Sequence, residues 1–290
     1  MTIKSSPVLA IGASGKFGGL VIPELVKRGA TVRGLIRDRT KADAVRRHGA
    51  AEVVVGDLSD RESLNQALVG VESVFYLAPA FLPHEAAVGT GLVEAAVQAG
   101  VRRFVFSSVI HPVLSALQNH AQKGPVEEAV LTSGMEYTFL HPTVFFQNFS
   151  SSWPQIAETG VLAEPWSIDN RFSRVDYRDV CEVAAIALTE DRLLYGTFEL
   201  CAEGHLDRND VAALIGQVLG RPVKAVRIDP EMAAAGAGPG AAMLGTMFNW
   251  YDQRGLLGSA LTLRAILGRE PRTLRTFFEE LNAAFDPVRA

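Results

Sequence analysis

The sequence VLAIGASGKFGG at residues 8–19 decides the fold, because a short apolar run leads straight into spaced glycines and then into a helical pattern. In this arrangement Gly12 permits the tight turn out of a strand, Gly15 lets the backbone approach a pyrophosphate, and Gly18 lets the helix pack close to the sheet. The helix N-terminus offers N–H groups to phosphates. A plain strand-to-helix turn is the alternative, but the context favours a dinucleotide-binding loop. The loop residues predicted to contact the ligand are Gly12, Ser14, Gly15, Lys16, Phe17 and Gly18.

Short apolar runs and amphipathic stretches alternate through the first half of the chain. Strand-like runs lie at 8–11, 31–36, 52–55, 73–77, 103–106 and 137–140, and helical patterns lie between them at 17–27, 41–48, 61–68, 85–98 and 126–131. A glycine follows each helical pattern, at 29, 49, 70, 100 and 134, where a left-handed cap residue is needed. This alternation predicts βαβ units and a parallel sheet.

The second half of the chain is less regular. Residues 141–175 carry prolines and aromatics that predict irregular structure over a pocket, and the Ala/Gly-rich stretch 233–242 predicts a mobile loop. Helical patterns lie at 176–189, 208–219 and 271–285, and strand-like runs lie at 197–201 and 223–228. One apolar group could wall a substrate pocket, with ordinary core or a homodimer contact as alternatives. Its members are Met243, Met247, Phe248, Trp250, Tyr251 and Leu256.

Composition excludes several functional classes. The 28 Lys and Arg against 32 Asp and Glu give a formal charge of −4 without a basic stripe, so nucleic-acid and membrane partners are not expected. No metal-ligand spacing and no Gly-x-Ser-x-Gly motif occurs, so neither a metal site nor a hydrolase is predicted. Cys181 and Cys201 are interpreted as core residues in a reducing compartment rather than a redox pair. Because residues 1–7 lack a signal-peptide core, a cytoplasmic location is expected.

The end of the second strand-like run indicates which dinucleotide is bound. An acidic residue at this place holds the ribose hydroxyls of NAD, whereas here Arg37 comes first and Asp38 follows. A guanidinium can hold a 2′-phosphate by paired hydrogen bonds, so Arg37 and Lys41 predict NADP(H), with Asp38 facing elsewhere. The alternative is that Arg37, Arg39 and Lys41 form a solvated loop.

Two further strand ends are predicted to complete the cofactor site. Asp57 can accept a hydrogen bond from the adenine amino group while Leu58 packs on the ring; the alternative, that Asp57 caps the next helix, suits Ser59 and Asp60 better. The fourth strand ends at Leu77-Ala78-Pro79, on the carboxyl edge of the sheet where the cofactor lies.

Together these motifs resemble the NmrA-like group of atypical short-chain dehydrogenases/reductases. The resemblance rests on GASGKFGG at 12–19, RDRTKA at 37–42, VVVGDLSD at 53–60, FVFSSV at 104–109, EYTFLHPTVFFQN at 136–148, VDYRDV at 175–180 and LGREPRTLRTFFEE at 267–280. It implies an α/β fold, a Rossmann-type doubly wound parallel sheet in the order 3-2-1-4-5-6 with a smaller C-terminal α+β substrate region. The predicted domains are an NADP-binding domain at 1–150, completed by about 176–200, and a substrate-binding region at 151–175 and 201–290.

The resemblance also implies residues on the nicotinamide side. Ser107 and its neighbour Ser108 end the fifth strand near the nicotinamide, and Lys123 matches the lysine that contacts the nicotinamide ribose and aids proton transfer. A surface lysine is the alternative for Lys123. The remaining residues that would line this side are Pro142, Thr143, Phe146 and Asn148.

One position departs from the pattern of typical short-chain dehydrogenases, Tyr-x-x-x-Lys. Counting back from Lys123 gives Asn119, which can donate a hydrogen bond but supplies no proton at neutral pH. His120 is a candidate acid that could share a helix face with Lys123, and a polar loop residue is its alternative. His111 is a weaker candidate, and His141 is interpreted as a packing residue.

Two main functions follow. The first is an NADPH-dependent oxidoreductase that reduces a small apolar carbonyl, enone or quinone, with Lys123, His120, Asn119 and Ser107 as candidate catalytic residues. The alternative is a non-catalytic NAD(P)-sensing regulatory protein, suggested by Asn119 at the tyrosine position. A sugar-nucleotide epimerase is a weaker third possibility, since that chemistry normally needs the tyrosine.

Overall fold

The computed structural model describes residues 7–285; residues 1–6, part of the segment without a predicted signal-peptide core, lie outside them. Its strands are β1 Val8–Ile11, β2 Val32–Ile36, β3 Glu52–Val55, β4 Ser73–Leu77, β5 Arg103–Ser107, β6 Glu136–Pro142, β7 Val144–Phe145, β8 Val161–Glu164, β9 Arg174–Val175, β10 Gly196–Leu200 and β11 Lys224–Arg227. Its α-helices are α1 Val21–Lys27, α2 Ala42–Arg47, α3 Arg61–Leu68, α4 Glu85–Gln98, α5 Gln118–Ala121, α6 Lys123–Thr132, α7 Trp153–Thr159, α8 Tyr177–Thr189, α9 Arg208–Leu219, α10 Pro230–Ala235, α11 Ala241–Gln253, α12 Leu261–Leu267 and α13 Leu274–Ala284.

The chain divides into two compact units. The first comprises the residues up to Ser115, His120–His141 and Val180–Phe198, and the second comprises Ala116–Asn119, Pro142–Asp179 and the residues from Glu199 onward.

The first unit is built on a seven-stranded sheet in the order β3-β2-β1-β4-β5-β6-β10. Strands β1 to β6 pair in parallel, which confirms the predicted order 3-2-1-4-5-6 and the Rossmann-type α/β fold; β10 adds a seventh strand beyond β6. Central strands β1, β4 and β5 are buried along nearly their whole length, as expected when helices cover both faces. Gly34 in β2 lets α2 pack closely, because an added Cβ would lie 2.7 Å from Val45 Cγ1.

The helix-ending glycines behave as predicted. Residues 29, 49, 70, 100 and 134 all have positive φ, between 69° and 108°, a region that residues with a Cβ rarely adopt. Each of them therefore allows the chain to turn from a helix into the next strand.

The second unit has an aromatic core in which Trp153 stacks on Phe278 at 5.5 Å between ring centroids. Two predictions for this part of the chain are wrong. Residues 141–175 are not irregular throughout, because they contain β7, α7, β8 and β9. Residues 233–242 are not a loop: they fall mostly within α10, a 3₁₀ turn at Gly238–Gly240 and the start of α11. Asp229 caps α10 by accepting the N–H groups of Glu231 and Met232, and the high helix propensity of alanine then outweighs the scattered glycines.

None of the helices that the structure describes is long and apolar enough to cross a membrane. Between residues 7 and 285, no group of three or more His, Cys, Asp or Glu side chains could hold a metal ion.

Candidate active site

The glycine loop between β1 and α1 is a compact turn in which Gly12 and Gly18 disfavour any side chain. Gly12 has a φ of +85°, and the Gly15 N–H donates to the Gly12 carbonyl at 2.9 Å. A Cβ on Gly18 would lie only 2.4 Å from the Gly12 oxygen, and one on Gly12 would lie 3.2 Å from the Leu77 oxygen. The loop therefore brings its backbone against the carboxyl end of β4, where only glycine fits.

A cleft of about 580 Å³ opens beside this loop in the first unit. This volume lies in the range of small-molecule and cofactor sites. The predicted cofactor residues from the first four strands all line it, namely Gly12, Ser14, Gly15, Lys16, Phe17, Gly18, Arg37, Lys41, Asp57, Leu58, Leu77, Ala78 and Pro79. Lining residues that were not predicted include Leu35, Asp38, Gly56, Ser59, Ala80 and Leu82.

Charged side chains lie where β2 opens into the cleft. Arg37 and Lys41 are exposed and line it, as predicted. Asp38 was expected to face elsewhere, but it also lines the cleft. Its carboxylate accepts hydrogen bonds from the Thr40 backbone and hydroxyl at 2.9 and 2.7 Å, and the Thr40 hydroxyl is the main reason why the Asp38 pKa lies below its ordinary value. Both of these hydrogen bonds join Asp38 to Thr40, not to Arg37 or Lys41. Arg37 and Lys41 are therefore the side chains of this turn that suit an anionic ligand.

Asp57 and Leu58 follow β3 and line the same cleft. Asp57 Oδ1 accepts the Ser59 N–H at 2.8 Å, whereas α3 is capped by Asp60, which accepts the Glu62 N–H. Asp57 is therefore not the helix cap. Its half-buried carboxylate and the neighbouring Leu58 line the cleft together.

The predicted nicotinamide-side residues of the first unit lie at the ends of β4 and β5 and at the start of α6. Ser107 is buried and pairs in register with Leu77, which lines the cleft. Lys123 begins α6 and is also buried, with its ammonium bonded to Glu85 Oε1. Phe106 lies beneath that ammonium, with 5.9 Å from Nζ to the ring centroid. Lys123 is therefore not a surface lysine, and its charge is already partnered.

His120 is almost fully buried, and it lies in α5 rather than on the same helix as Lys123. Its Nδ1 faces the His111 carbonyl oxygen at 3.3 Å. Desolvation lowers the pKa of His120 to about 4, so the ring is neutral at pH 7. A neutral imidazole is a weak proton donor compared with an imidazolium.

The remaining predicted residues belong to the second unit and make contacts within it. Asn119 Nδ2 lies 3.6 Å from the Met247 sulfur, and Asn119 Oδ1 is buried without a partner among residues 7–285. Thr143 Oγ1 donates to the Ser173 carbonyl at 2.8 Å. Phe146, predicted to line the nicotinamide side, is only 2% exposed and packs in the aromatic core, and Pro142 ends β6.

The two cysteines are core residues, and two of the C-terminal aromatic residues pack on Trp166. Cys181 and Cys201 are buried and not disulfide-bonded, and burial raises the pKa of Cys201 to about 12, which does not suit a nucleophile. Phe248 and Tyr251 pack on Trp166, with centroid distances of 5.9 and 5.7 Å. The cysteines and Tyr251 are therefore core residues, whereas Phe248 is only half-buried and its role stays a prediction.

Sequence reasoning missed a buried network at the ends of β5 and β6. Glu127 Oε1 accepts hydrogen bonds from the Ser108 hydroxyl and from His141 Nε2. His141 had been interpreted as a packing residue. The sequence signal for this network is Glu127, which lies next to the buried Val126 of α6. Ser108 and His141 add polar side chains at the ends of two adjacent strands.

Comparison with known proteins gives a consistent group of relatives. The model of the NmrA-like family matches residues 4–280. The NAD(P)H azoreductase of Xenophilus azovorans is 30% identical over 285 residues, covering 96% of this chain and 99% of the relative. Quinone oxidoreductase 2 of Escherichia coli K12 is 26% identical over 271 residues, covering 91% and 94%. The structure of Citrobacter sp. triphenylmethane reductase complexed with NADP(H) superposes with a TM-score of 0.83 at 21% identity, covering 94% and 99%, which shows a shared fold.

Proposed function

The chain belongs to the NmrA-like family, and from that premise we propose that it is an NADP(H)-dependent reductase. The observation that carries the proposal is the cleft of the first unit, where the glycine loop, the basic pair Arg37 and Lys41, and Asp57 line one continuous space. The azoreductase and the quinone oxidoreductase among the relatives support the same class of reaction.

Each wall of the cleft has a role toward the dinucleotide. Backbone N–H groups of the glycine loop would bind the pyrophosphate, and Arg37 with Lys41 would hold the 2′-phosphate. Asp57 would accept a hydrogen bond from the adenine amino group, since the Ser59 N–H bonds only one of its two oxygens, Oδ1. Leu77 and Ser107, which pair in register at the ends of β4 and β5, would hold the nicotinamide end of the cofactor.

Quinones are the acceptors that this chemistry favours. When bound, the cofactor supplies a hydride from its nicotinamide ring. Hydride acceptance turns a quinone into a phenolate that its own ring stabilises, so the step needs less help from an acid than the reduction of an aldehyde or an enone does. The candidate donors fit this requirement, because the Lys123 ammonium is held by Glu85 and His120 is neutral at pH 7. Small apolar carbonyls and enones leave less stable anions and are expected to react more slowly.

The proposal is tested by following NADPH oxidation anaerobically with a quinone, an enone, an aldehyde and an azo dye. We expect kcat/KM for the quinone to exceed that for the enone and the aldehyde by at least about tenfold, or about 1.4 kcal/mol of transition-state free energy. Equal values would contradict the quinone assignment.

Tight NADPH binding without turnover of any acceptor would contradict the reductase. It would favour the second candidate, a non-catalytic NAD(P)-sensing regulatory protein. The observation that favours this candidate is the Lys123 ammonium already occupied by Glu85.

A further inference from the structure

Two polar side chains that the proposed function does not use, Ser108 and His141, converge on one carboxylate oxygen of Glu127 in the first unit. Glu127 Oε1 accepts a hydrogen bond from the Ser108 hydroxyl and another, at 2.9 Å, from His141 Nε2. A carboxylate accepts hydrogen bonds only, so the proton in the second bond belongs to the imidazole. Ser108 and His141 are both buried, and about 10% of the His141 side chain is exposed.

This network lies at the edge of the sheet where ligands of open α/β folds bind. Ser108 directly follows β5, and His141 is the penultimate residue of β6, the neighbouring strand. The Ser108 N–H donates to the Leu140 carbonyl at 2.9 Å, which fixes the two strand ends against each other. Ligands bind outside the carboxyl ends of parallel strands. The network therefore lies at the same edge of the sheet as the cofactor cleft.

We propose that His141 donates the proton in the reduction and that Glu127 is the residue that positions it. Glu127 holds Nε2–H, which leaves Nδ1 as the ring nitrogen available to a ligand. A carboxylate bonded to one ring nitrogen stabilises positive charge on an imidazole, and histidine is the side chain that most often acts as a general acid in enzymes. His120 differs because its ring faces a backbone carbonyl and no carboxylate bonds it among the residues that the structure describes. The inference rests on the proposed function, because it needs a quinone reduced at this edge of the sheet.

Bound NADPH would supply a hydride to the quinone, that is two electrons and one proton, and would become NADP⁺. The Nδ1–H bond of the His141 imidazolium breaks, and an O–H bond forms on the reduced quinone. The electron pair of the N–H bond stays on His141, which becomes neutral and is recharged by a proton from solvent. A hydroquinone leaves.

Removing a proton donor lowers kcat/KM by an amount that depends on which quinone is reduced, whereas removing a merely structural residue lowers it equally for all quinones. A chlorinated quinone gives a stable anion on reduction and gains little from an acid, whereas a methyl-substituted quinone gives a more basic anion that needs one. The test variant is His141→Gln, whose amide can still donate to Glu127 but cannot release a proton at neutral pH. For this variant we expect kcat/KM to fall by about 100-fold with the methyl-substituted quinone, in the range of general acid catalysis, and to change little with the chlorinated one.

Glu127→Gln is the second variant, and it should give a smaller loss with the same dependence on the quinone, because it removes only the charge beside His141. His205→Gln, at an exposed histidine of the second unit, is the matched control and should leave both rates unchanged. Both quinones are measured on the same preparation, so a misfolded fraction cancels in the ratio of the two rates.

Equal losses of kcat/KM on the two quinones, or no loss on either, would overturn the assignment of His141 while leaving the reductase intact. Wild-type protein that binds NADPH but reduces neither quinone would overturn both proposals, and that result is visible before any variant is made.

Discussion

Replacing Lys123 with methionine should destabilise the first unit strongly, because the buried Glu85 would lose its ion-pair partner. The side chains of Lys123 and Glu85 are only 11% and 4% exposed. Breaking a buried ion pair by removing one partner costs about 3–5 kcal/mol, whereas replacing both partners by apolar residues of similar size is often neutral or stabilising. We therefore expect a loss of about 3–5 kcal/mol for Lys123→Met and a recovery of most of it in the double variant with Glu85→Leu.

The assay is guanidinium denaturation of the wild type, the two single variants and the double variant. Lys27→Met is the matched control: Lys27 is paired with Glu24 at 2.7 Å, but its side chain is 67% exposed. Exposed pairs of this kind contribute about 0–1 kcal/mol, so this variant should be close to the wild type. The reasoning would be refuted if Lys123→Met lowered the free energy of unfolding by less than about 1 kcal/mol. It would also be refuted if the loss in the double variant equalled the sum of the losses in the two single variants.

Three further predictions follow from the cleft and from α5. Arg37→Ala should weaken NADPH binding by about tenfold and leave NADH binding unchanged; tenfold is the lower end expected for a charge-assisted hydrogen bond at an exposed side chain. Calorimetric titration with each cofactor measures both affinities. An equal loss of affinity for the two cofactors would contradict the prediction. Gly18→Ala should abolish NADPH binding, because its Cβ would lie 2.4 Å from the Gly12 oxygen, whereas Gly124→Ala, with no atom within 4 Å of an added Cβ, should not; retained binding in the first variant would contradict the loop geometry. The pKa of His120 is lowered to about 4 in the folded protein, so stability is greatest above pH 6.5 and is lost as the pH falls toward 4, by up to about 3 kcal/mol. His120→Gln should flatten this part of the stability curve, and an unchanged pH dependence would contradict the prediction.

The elements of the first unit could be predicted because their sequence signals are local. Strands β1 to β6 follow from apolar runs bounded by glycines, and the run at 52–55 is the same in sequence and structure. The residues that line the cleft follow from one rule, that ligands meet the carboxyl ends of parallel strands. Asp38 is the exception, since nothing in the sequence shows which way a side chain points at the turn after β2.

The contacts of the buried polar groups could not be predicted, because they join residues that are distant in sequence. Glu85 and Lys123 are separated by 38 positions, and each lies at the start of a helix whose pattern gives no partner. The Ala/Gly-rich stretch after Asp229 was misinterpreted for another reason: its composition resembles a loop, while its cap and its alanines specify a helix. The predicted division of the chain near residue 150 stays a prediction.

The most direct test of the central claim is an anaerobic single-turnover experiment in which NADPH, held in the protein in equimolar amount, is mixed with excess quinone. The absorbance of NADPH should disappear completely, with one hydroquinone formed for each NADPH consumed. NADPH that stays bound and unoxidised for every quinone tried would contradict the claim that the cleft serves a reductase.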